Sequence, residues 1–124
     1  MRAIIDNVPS SIYLKDIDGR YLLVNKTFGD RHGVAPVEAI GKTVYDLVPA
    51  QLADNFTNHD HEVIRTRSVV ERETRGNRPD GTSVYLTVKF PFLDSDGEIV
   101  TIGGITTDIT EHTKAGETLQ KSED

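Results

Sequence analysis

The stretch TSVYLTVKFPFLDSDGEIVTIGGITTDIT, residues 82–110, decides the fold of this 124-residue chain. Its first half alternates Val84, Leu86 and Val88 with polar positions, which is the two-residue period of a strand. Its second half, residues 99–105, is rich in Ile, Val and Thr, as strands are. The segment DSDG, residues 94–97, joins the halves with a glycine where a tight turn needs positive φ. We predict a β-hairpin whose last strand runs into a helix.

The residues before this hairpin are predicted to form a block of helices flanked by strands. Asn25 can cap a helix that Gly33 ends, and Pro36 suits the first turn of another. The predicted elements are helices at residues 1–8, 26–32, 37–40, 45–48 and 51–66, strands at 12–14, 21–24 and 69–74, and turns at 16–19 and 77–81. Strands on both sides of a helical block predict an α+β fold with an antiparallel sheet.

Composition limits the classes of function. The chain is 36% apolar and 27% charged, typical of one soluble domain, and its net charge of −6 provides no basic excess for nucleic acid. There is no apolar run of membrane-spanning length and no signal-peptide pattern, so we expect a cytoplasmic module without membrane contact in this segment. The absence of cysteine excludes disulfides, zinc–thiolate sites and cysteine adducts.

Seven short segments carry a resemblance to a known family. Taken in order across about residues 2–113, they are similar to PAS domains in sequence and in spacing. The segments are YLKDIDGRY (13–21), VNK (24–26), EAIGK (38–42), RPDGT (78–82), KFP (89–91), DSDG (94–97) and DITE (108–111).

The resemblance implies a PAS fold, with a five-stranded antiparallel sheet of order 2-1-5-4-3, short helices over one face, and a cavity between them. It also implies a sensory module of a signal-transduction protein that responds to a small ligand, a cofactor or a partner. Such a module controls an effector domain of the same polypeptide, commonly a histidine kinase of a two-component system or a diguanylate cyclase, and is generally not an enzyme. Light-sensing flavin members use a cysteine that this chain lacks, so that photochemistry is excluded and the cofactor stays unknown.

The family register predicts which side chains of the hairpin face the cavity. The outer sheet face would carry Val84, Leu86, Val88 and Phe90. The ligand-pocket candidates are Phe56, His59, Val63, Tyr85, Thr87, Lys89, Ile102, Gly104 and Thr106. Two adjacent glycines, Gly103 and Gly104, either admit a neighbouring backbone closely or enlarge the cavity.

Lys89 is the pocket candidate with the clearest chemical requirement. An inward ammonium must be paired, because an unpaired buried charge is very costly. We expect a structural carboxylate as its partner, with the carboxylate of a ligand as the alternative. The carboxylates considered are Asp16, Asp30 and Asp108.

The run from His59 to Glu62 has the composition of a metal site but not its geometry. Residues two apart do not share a helix face, so a solvated helix face is expected and no metal site is assigned. His59 borders the apolar arc of the helix, where a local hydrogen bond is expected and haem ligation is the alternative. The arginines between residues 65 and 78 alternate with glutamates, which predicts a solvated, ion-paired surface. No catalytic grouping is visible.

The end of the hairpin is predicted to be a mechanical joint. Asp108 can cap the exiting helix, and Glu111 can reach back as in a capping box. By resemblance, the signal would pass through Asp108, Ile109, Thr110 and Glu111. We therefore divide the chain into a flanking helix (1–9), a PAS domain (10–110) and the start of a connector helix to a downstream domain (111–124).

An apolar outer sheet face predicts a homodimer, because such a face needs a cover. The expected dimer surface comprises Ile4 and Ile5 of the first helix together with the outer-face residues of the hairpin. Two alternatives remain at this stage. One is a structural dimerisation module with a sealed core, and the other is a small α+β cavity enzyme.

Overall fold

The computed structural model describes residues 2–75 and 83–110. Its helices are α1 (Arg2–Asp6), α2 (Lys26–His32), α3 (Pro36–Ala39) and α4 (Ala50–Thr66), with a 3₁₀ turn at Val44–Asp46. Its strands are β1 (Ser11–Asp16), β2 (Tyr21–Val24), β3 (Val70–Arg75), β4 (Val84–Leu93) and β5 (Ile99–Asp108). The predicted turn at residues 77–81 and the predicted connector at residues 111–124 lie outside the described residues.

The five strands form one antiparallel sheet in the order β2-β1-β5-β4-β3. This order confirms the α+β prediction and the topology that the resemblance implied. β5 lies at the centre and pairs with both β1 and β4. It extends past its predicted end at Ile105, because Thr106 and Thr107 continue the ladder opposite β4.

Two hairpin turns share one construction, in which an aspartate ties the turn and a glycine closes it. Oδ1 of Asp16 accepts from the amides of Asp18 and Arg20, and Gly19 has a φ of 87°. Oδ1 of Asp94 accepts from two amides of its own turn in the same way, and that turn is closed by Gly97 at a φ of 81°. Both turns were predicted, because the left-handed region favours glycine.

Asn25 joins three elements through its buried side chain. Its Oδ1 accepts from the amide of Phe28, which caps α2 as predicted, and from the amide of Ile12 in β1. Its Nδ2 donates to the carbonyls of Ile5 and Ser10. The end of α1 is therefore fixed to the strand layer by a fully satisfied amide.

α4 supplies the long element of the helical layer. It packs against β3, β4 and β5. Its C-cap is Arg67, whose φ of 55° and N–H bond to the carbonyl of Val63 close the last turn. The core beside it contains edge-to-face contacts among Tyr13, Tyr21 and Phe28, with ring centroids 5.0–5.9 Å apart. Within the described part of the chain, none of the helices combines the length and the apolar character needed to cross a membrane.

Candidate functional site: a cavity with two buried lysines

A cavity of about 530 Å³ lies between the inner face of the sheet and the helices. On the sheet side it is lined by Tyr13, Thr87 and Thr106, and on the helix side by Phe28 and Phe56. Its volume is within the range of small-molecule sites, roughly 300–1,000 Å³. A cavity is thus present where the resemblance implied one.

Two lysines lie on the inner face of the sheet and line this cavity. Lys15 is on β1 and Lys89 is on β4, and the central strand β5 runs between them. Lys15 is 1% exposed and Lys89 is fully buried. Two ammonium groups are therefore removed from bulk water within one site, which requires compensation from nearby groups.

Asp60 of α4 binds both lysines. Its Oδ2 is 2.9 Å from Nζ of Lys15, and its Oδ1 is 2.6 Å from Nζ of Lys89. Lys89 also donates to the carbonyl of Phe56 at 3.1 Å. Asp60 is itself only 7% exposed, so one carboxylate connects the helix layer to two strands of the sheet. We call Lys15, Asp60 and Lys89 the buried triad.

Gly104 makes room for an aromatic ring within this site. A Cβ placed at Gly104 would lie 2.2 Å from the ring of Tyr13, so any larger residue would displace that ring. The ring centroid of Tyr13 is 5.5 Å from Nζ of Lys15 and 5.8 Å from Nζ of Lys89. A ring at this distance attracts a cation. On the opposite face of the sheet, the rings of Phe90 and Phe92 occupy the space that a Cβ at Gly103 would need.

Burial and charge act on the triad in opposite directions. Burial, and then the charge of Lys15, lower the pKa of Lys89 to about 8, although Asp60 partly offsets them. Burial alone would raise the pKa of Asp60, but Lys89 and Lys15 outweigh it and hold that pKa below its usual value. Burial and the charge of Asp60 raise the pKa of Tyr21 well above its usual value. With both lysines protonated and Asp60 ionised, the triad carries a net charge of +1.

The end of β5 is tied to the start of β4. Oδ1 of Asp108 accepts from the amide of Thr110 at 3.0 Å and from its hydroxyl at 2.6 Å. The bond to the amide two residues on is the bond that an N-cap carboxylate makes. Oγ1 of Thr110 accepts in turn from the amide of Val84, and the amide of Ile109 donates to the carbonyl of Val84. Thr110 is buried.

The fold agrees with what comparison of the sequence shows. The sequence matches the family described as the PAS fold over residues 5–114. The chain belongs to the PAS family.

Its relatives are signalling proteins. The chain is 37% identical to the virulence sensor protein BvgS of Bordetella pertussis, over 100% of this chain and 10% of BvgS. It is 28% identical to the methanogenesis regulatory histidine kinase FilI of Methanothrix harundinacea, over 97% of this chain and 14% of FilI. The solved PAS domain of Bordetella pertussis BvgS is similar with a TM-score of 0.74 and 30% identity, covering 99% of this chain and 93% of that one. This PAS domain spans 9–14% of the length of the curated relatives it matches and is of the kind found in sensory signalling proteins.

The structure divides the predicted pocket residues into two groups. Five of them line the cavity, namely Phe56, Tyr85, Thr87, Lys89 and Thr106. The other four do not. Ile102 lines a smaller neighbouring pocket of about 110 Å³, and the space at Gly104 is filled by Tyr13. Val63 is fully buried, and His59 is buried beside β3.

The partner of Lys89 is a carboxylate, as expected, but none of the three that were considered. Asp16 ties its own turn, Asp30 pairs with the exposed Lys26, and Asp108 bonds to Thr110. The expectation of these partners was wrong, because Asp60 follows Phe56 by one helical turn and so faces the sheet.

The expectation of a solvated face from His59 to Glu62 was wrong for its first two residues. His59 and Asp60 are buried, whereas His61 is exposed and Glu62 pairs with Arg72 at the surface. Nε2 of His59 donates to the carbonyl of Val70 at 2.9 Å, which is the local bond expected for it. Burial lowers its pKa. The described residues contain no group of three or more candidate metal ligands.

Reasoning from the sequence missed several residues of the site. Lys15 and Asp60 complete the triad, and Arg75 lines the cavity although it had been assigned to a solvated surface. Signals for the first two were present. Lys15 follows inward Tyr13 by two residues in a strand, and Asp60 borders the apolar arc of α4.

Proposed function

We propose that this PAS domain is the sensory module of a multidomain signalling protein. In this proposal a small ligand enters the cavity, and the change passes through Asp108, Ile109 and Thr110 to an effector domain of the same polypeptide. The supporting observation is that the cavity and the joint share two strands. Thr106 lines the cavity and lies only two residues before Asp108, while Tyr85 lines it directly after Val84.

The contacts of these strands provide a mechanical route. Thr87 of β4 and Thr106 of β5 bond to each other through their hydroxyls at 3.0 Å within the cavity wall. One pleat further along, Tyr85 is paired with Asp108, and Val84 bonds to Ile109 and Thr110. A displacement of either strand by a ligand would therefore alter the hydrogen bonds at the joint. The predicted connector starts immediately beyond it.

The cavity favours this proposal over the two alternatives. A dimerisation module with a sealed core does not need about 530 Å³ of space lined by charged groups. Among the described residues, the cavity lining has cations and hydroxyls but no carboxylate, and its histidine, His32, packs on the ring of Phe28 at 4.4 Å. Acid–base catalysis has no paired groups there. A non-enzymatic role and a cytoplasmic location remain predictions.

We also propose a homodimer, with a dimer surface smaller than the one predicted. Ile4 is 69% exposed, and Leu86, Val88 and Phe90 are only partly buried within one chain. Val84 is only 3% exposed and is therefore not available to a second chain. Sedimentation of wild type and Leu86→Glu over a concentration series tests this surface. A monomer at all concentrations would contradict it.

The signalling proposal is tested by fusing the domain to a histidine kinase with Asp108→Ala at the joint. Loss of such a cap typically costs about 1 kcal/mol, against a total stability of roughly 5–15 kcal/mol, so the variant should stay folded. The same 1 kcal/mol changes a two-state ratio about fivefold. We expect kinase activity without added ligand to change several-fold while the melting temperature falls by a few degrees.

Asp94→Ala is the matched control. Asp94 also accepts two hydrogen bonds with its side chain, but in the turn at the opposite end of β5. The Asp94→Ala variant should lower the melting temperature by about as much as Asp108→Ala does, and it should leave kinase activity unchanged. Equal activity in the Asp108→Ala and wild-type fusions would show that the signal leaves by another route. Unfolding of the Asp108→Ala domain would make the residue structural.

A further inference from the structure

The charged groups of the cavity all have one sign. Among the described residues, its lining includes Lys15, Lys89, Arg31 and Arg75, together with His32, and no aspartate or glutamate. Arg31 and Arg75 are exposed, whereas the two lysines are buried. The electrostatic potential inside such a cavity favours an anion, because low-dielectric walls focus the field of these cations.

The buried lysines retain hydrogen-bonding capacity beyond what the protein uses. An ammonium carries three N–H donors. Within the described part of the chain, Nζ of Lys15 donates to Asp60, and Nζ of Lys89 donates to Asp60 and to the carbonyl of Phe56. Three of their six donors therefore have no acceptor among the described residues. Both lysines line the cavity, so an acceptor inside it can reach these donors.

The triad also lacks one negative charge. Two ammoniums share the single carboxylate of Asp60, which leaves a charge of +1 at a site where each member is at most 7% exposed. Buried charge is stabilised by an opposite charge in contact with it. One further anionic group in the cavity would make the site neutral.

The helical side of the lining is predominantly apolar. Its apolar side chains there are Phe28, Val44, Leu47, Val48, Leu52 and Phe56. A fully hydrated inorganic anion cannot use this surface. An organic molecule with an apolar body can contact it while its charged end reaches the lysines at the sheet.

We propose that the ligand of this cavity is a small organic monocarboxylate, whose carboxylate binds Lys15 and Lys89 and whose apolar body packs against the helices. The inference rests on the ligand-sensing part of the proposed function and specifies its chemical class. Tyr13 and Tyr21 flank the same lysines, at 5.1–5.8 Å from ring centroid to Nζ, and complete the wall around the carboxylate.

Three probes of matched shape test the sign of the ligand charge. Calorimetric titrations at pH 7 would use 3-phenylpropanoate, 3-phenylpropanamide and 3-phenylpropylammonium with the 124-residue chain. The carboxylate should bind about tenfold or more tightly than the amide, because hydrogen bonds to a charged acceptor are roughly twice as strong. The ammonium should bind most weakly. Equal affinity for carboxylate and amide, or no binding by any of the three, overturns the proposal.

Lysine variants test the location of the carboxylate. Lys89→Met and Lys15→Met should each weaken 3-phenylpropanoate binding about tenfold and change 3-phenylpropanamide binding by less than about threefold. Lys26→Met is the matched control, because Lys26 is 68% exposed and pairs with Asp30 away from the cavity, and it should change neither affinity. Equal losses for both probes in the two lysine variants would overturn the proposal.

Circular dichroism of each variant separates loss of binding from loss of fold. If Lys89→Met unfolds, Lys15→Met and the probe series on the wild-type chain decide the question. Failure of the anion preference leaves the sensory proposal standing, because the Asp108→Ala fusion is measured without ligand. Conversely, if Asp108→Ala did not change kinase activity in the fusion, the charge preference measured for the cavity would still hold.

Discussion

Two lysine–aspartate contacts in this PAS domain have the same length and opposite surroundings. Lys15 and Asp60 are 2.9 Å apart, and so are Lys26 and Asp30. The side chains of the first pair are 2% and 9% exposed, and those of the second are 68% and 67% exposed. Distance therefore says little about what either contact contributes. The surrounding solvent decides it, because water screens the exposed pair and is excluded from the buried one.

The buried contact is also shared, which the exposed one is not. Asp60 serves both Lys15 and Lys89, whereas Asp30 pairs with Lys26 within one turn of α2. Removing the shared carboxylate would leave two ammoniums facing each other without water. Removing one lysine would leave a neutral pair. Loss of the carboxylate and loss of a lysine should therefore have very different effects on stability at the buried site, and nearly equal effects at the surface pair.

Asp60→Asn should have the largest effect. It leaves Lys15 and Lys89 buried without an anionic partner, and breaking a buried pair in this way typically costs about 3–5 kcal/mol. Urea denaturation at pH 7 measures the change in the free energy of unfolding. Asp30→Asn is the matched control and should leave the transition midpoint unchanged within error. A loss of less than about 1 kcal/mol for Asp60→Asn would show that the triad is open to water.

Lys89→Met should be milder than Asp60→Asn and should remove one feature of the pH dependence. It replaces the excess ammonium with an apolar side chain of similar length and leaves Lys15 paired with Asp60. We expect a change of about 1 kcal/mol or less at pH 7, since replacing buried charge by apolar groups is often neutral.

The pH dependence follows from the lowered pKa of Lys89, about 8 in the folded chain against 10.5 ordinarily. Between these values the unfolded chain binds more protons than the folded chain, so wild-type stability should rise with pH from about 8 to 10. Arg72 adds positive charge near Lys89, and His59 is neutral in this range. The raised pKa values of Tyr13 and Tyr21 oppose the rise near pH 10 in both proteins. A wild-type curve parallel to that of Lys89→Met would mean that Lys89 titrates normally.

The local features of this fold were predictable because neighbouring residues determine them. Asn25 before a helix, Gly33 after it, and Gly97 in a tight turn each satisfy a backbone requirement within a few positions. Pairing the strands in the order 2-1-5-4-3 needed the family resemblance, since the alternation of side chains sets faces but not neighbours.

The candidate site was only half predictable, for a physical reason. Lys89 was identified because an inward lysine needs a carboxylate, but which carboxylate depends on how α4 lies across the sheet. The run from His59 to Glu62 predicts a solvated Asp60, because acidic residues at a helix edge are usually solvated. An inward lysine on a strand and an acid bordering an apolar helix face, taken together, are the signal that would have found the triad.

Lys26→Met should have the smallest effect of all, and its salt dependence completes the comparison. Both members of the pair are mostly in water and are joined across one turn of a surface helix, so Coulomb attraction is weak and ions screen it further. We expect the urea midpoint of Lys26→Met to equal that of wild type within error, both in low salt and in about 1 M sodium chloride. The effect of Asp60→Asn should persist in the same salt, because ions do not enter the buried triad. If salt abolished the effect of Asp60→Asn, the triad would be as accessible to solvent as the surface pair, and the distinction between them would fail.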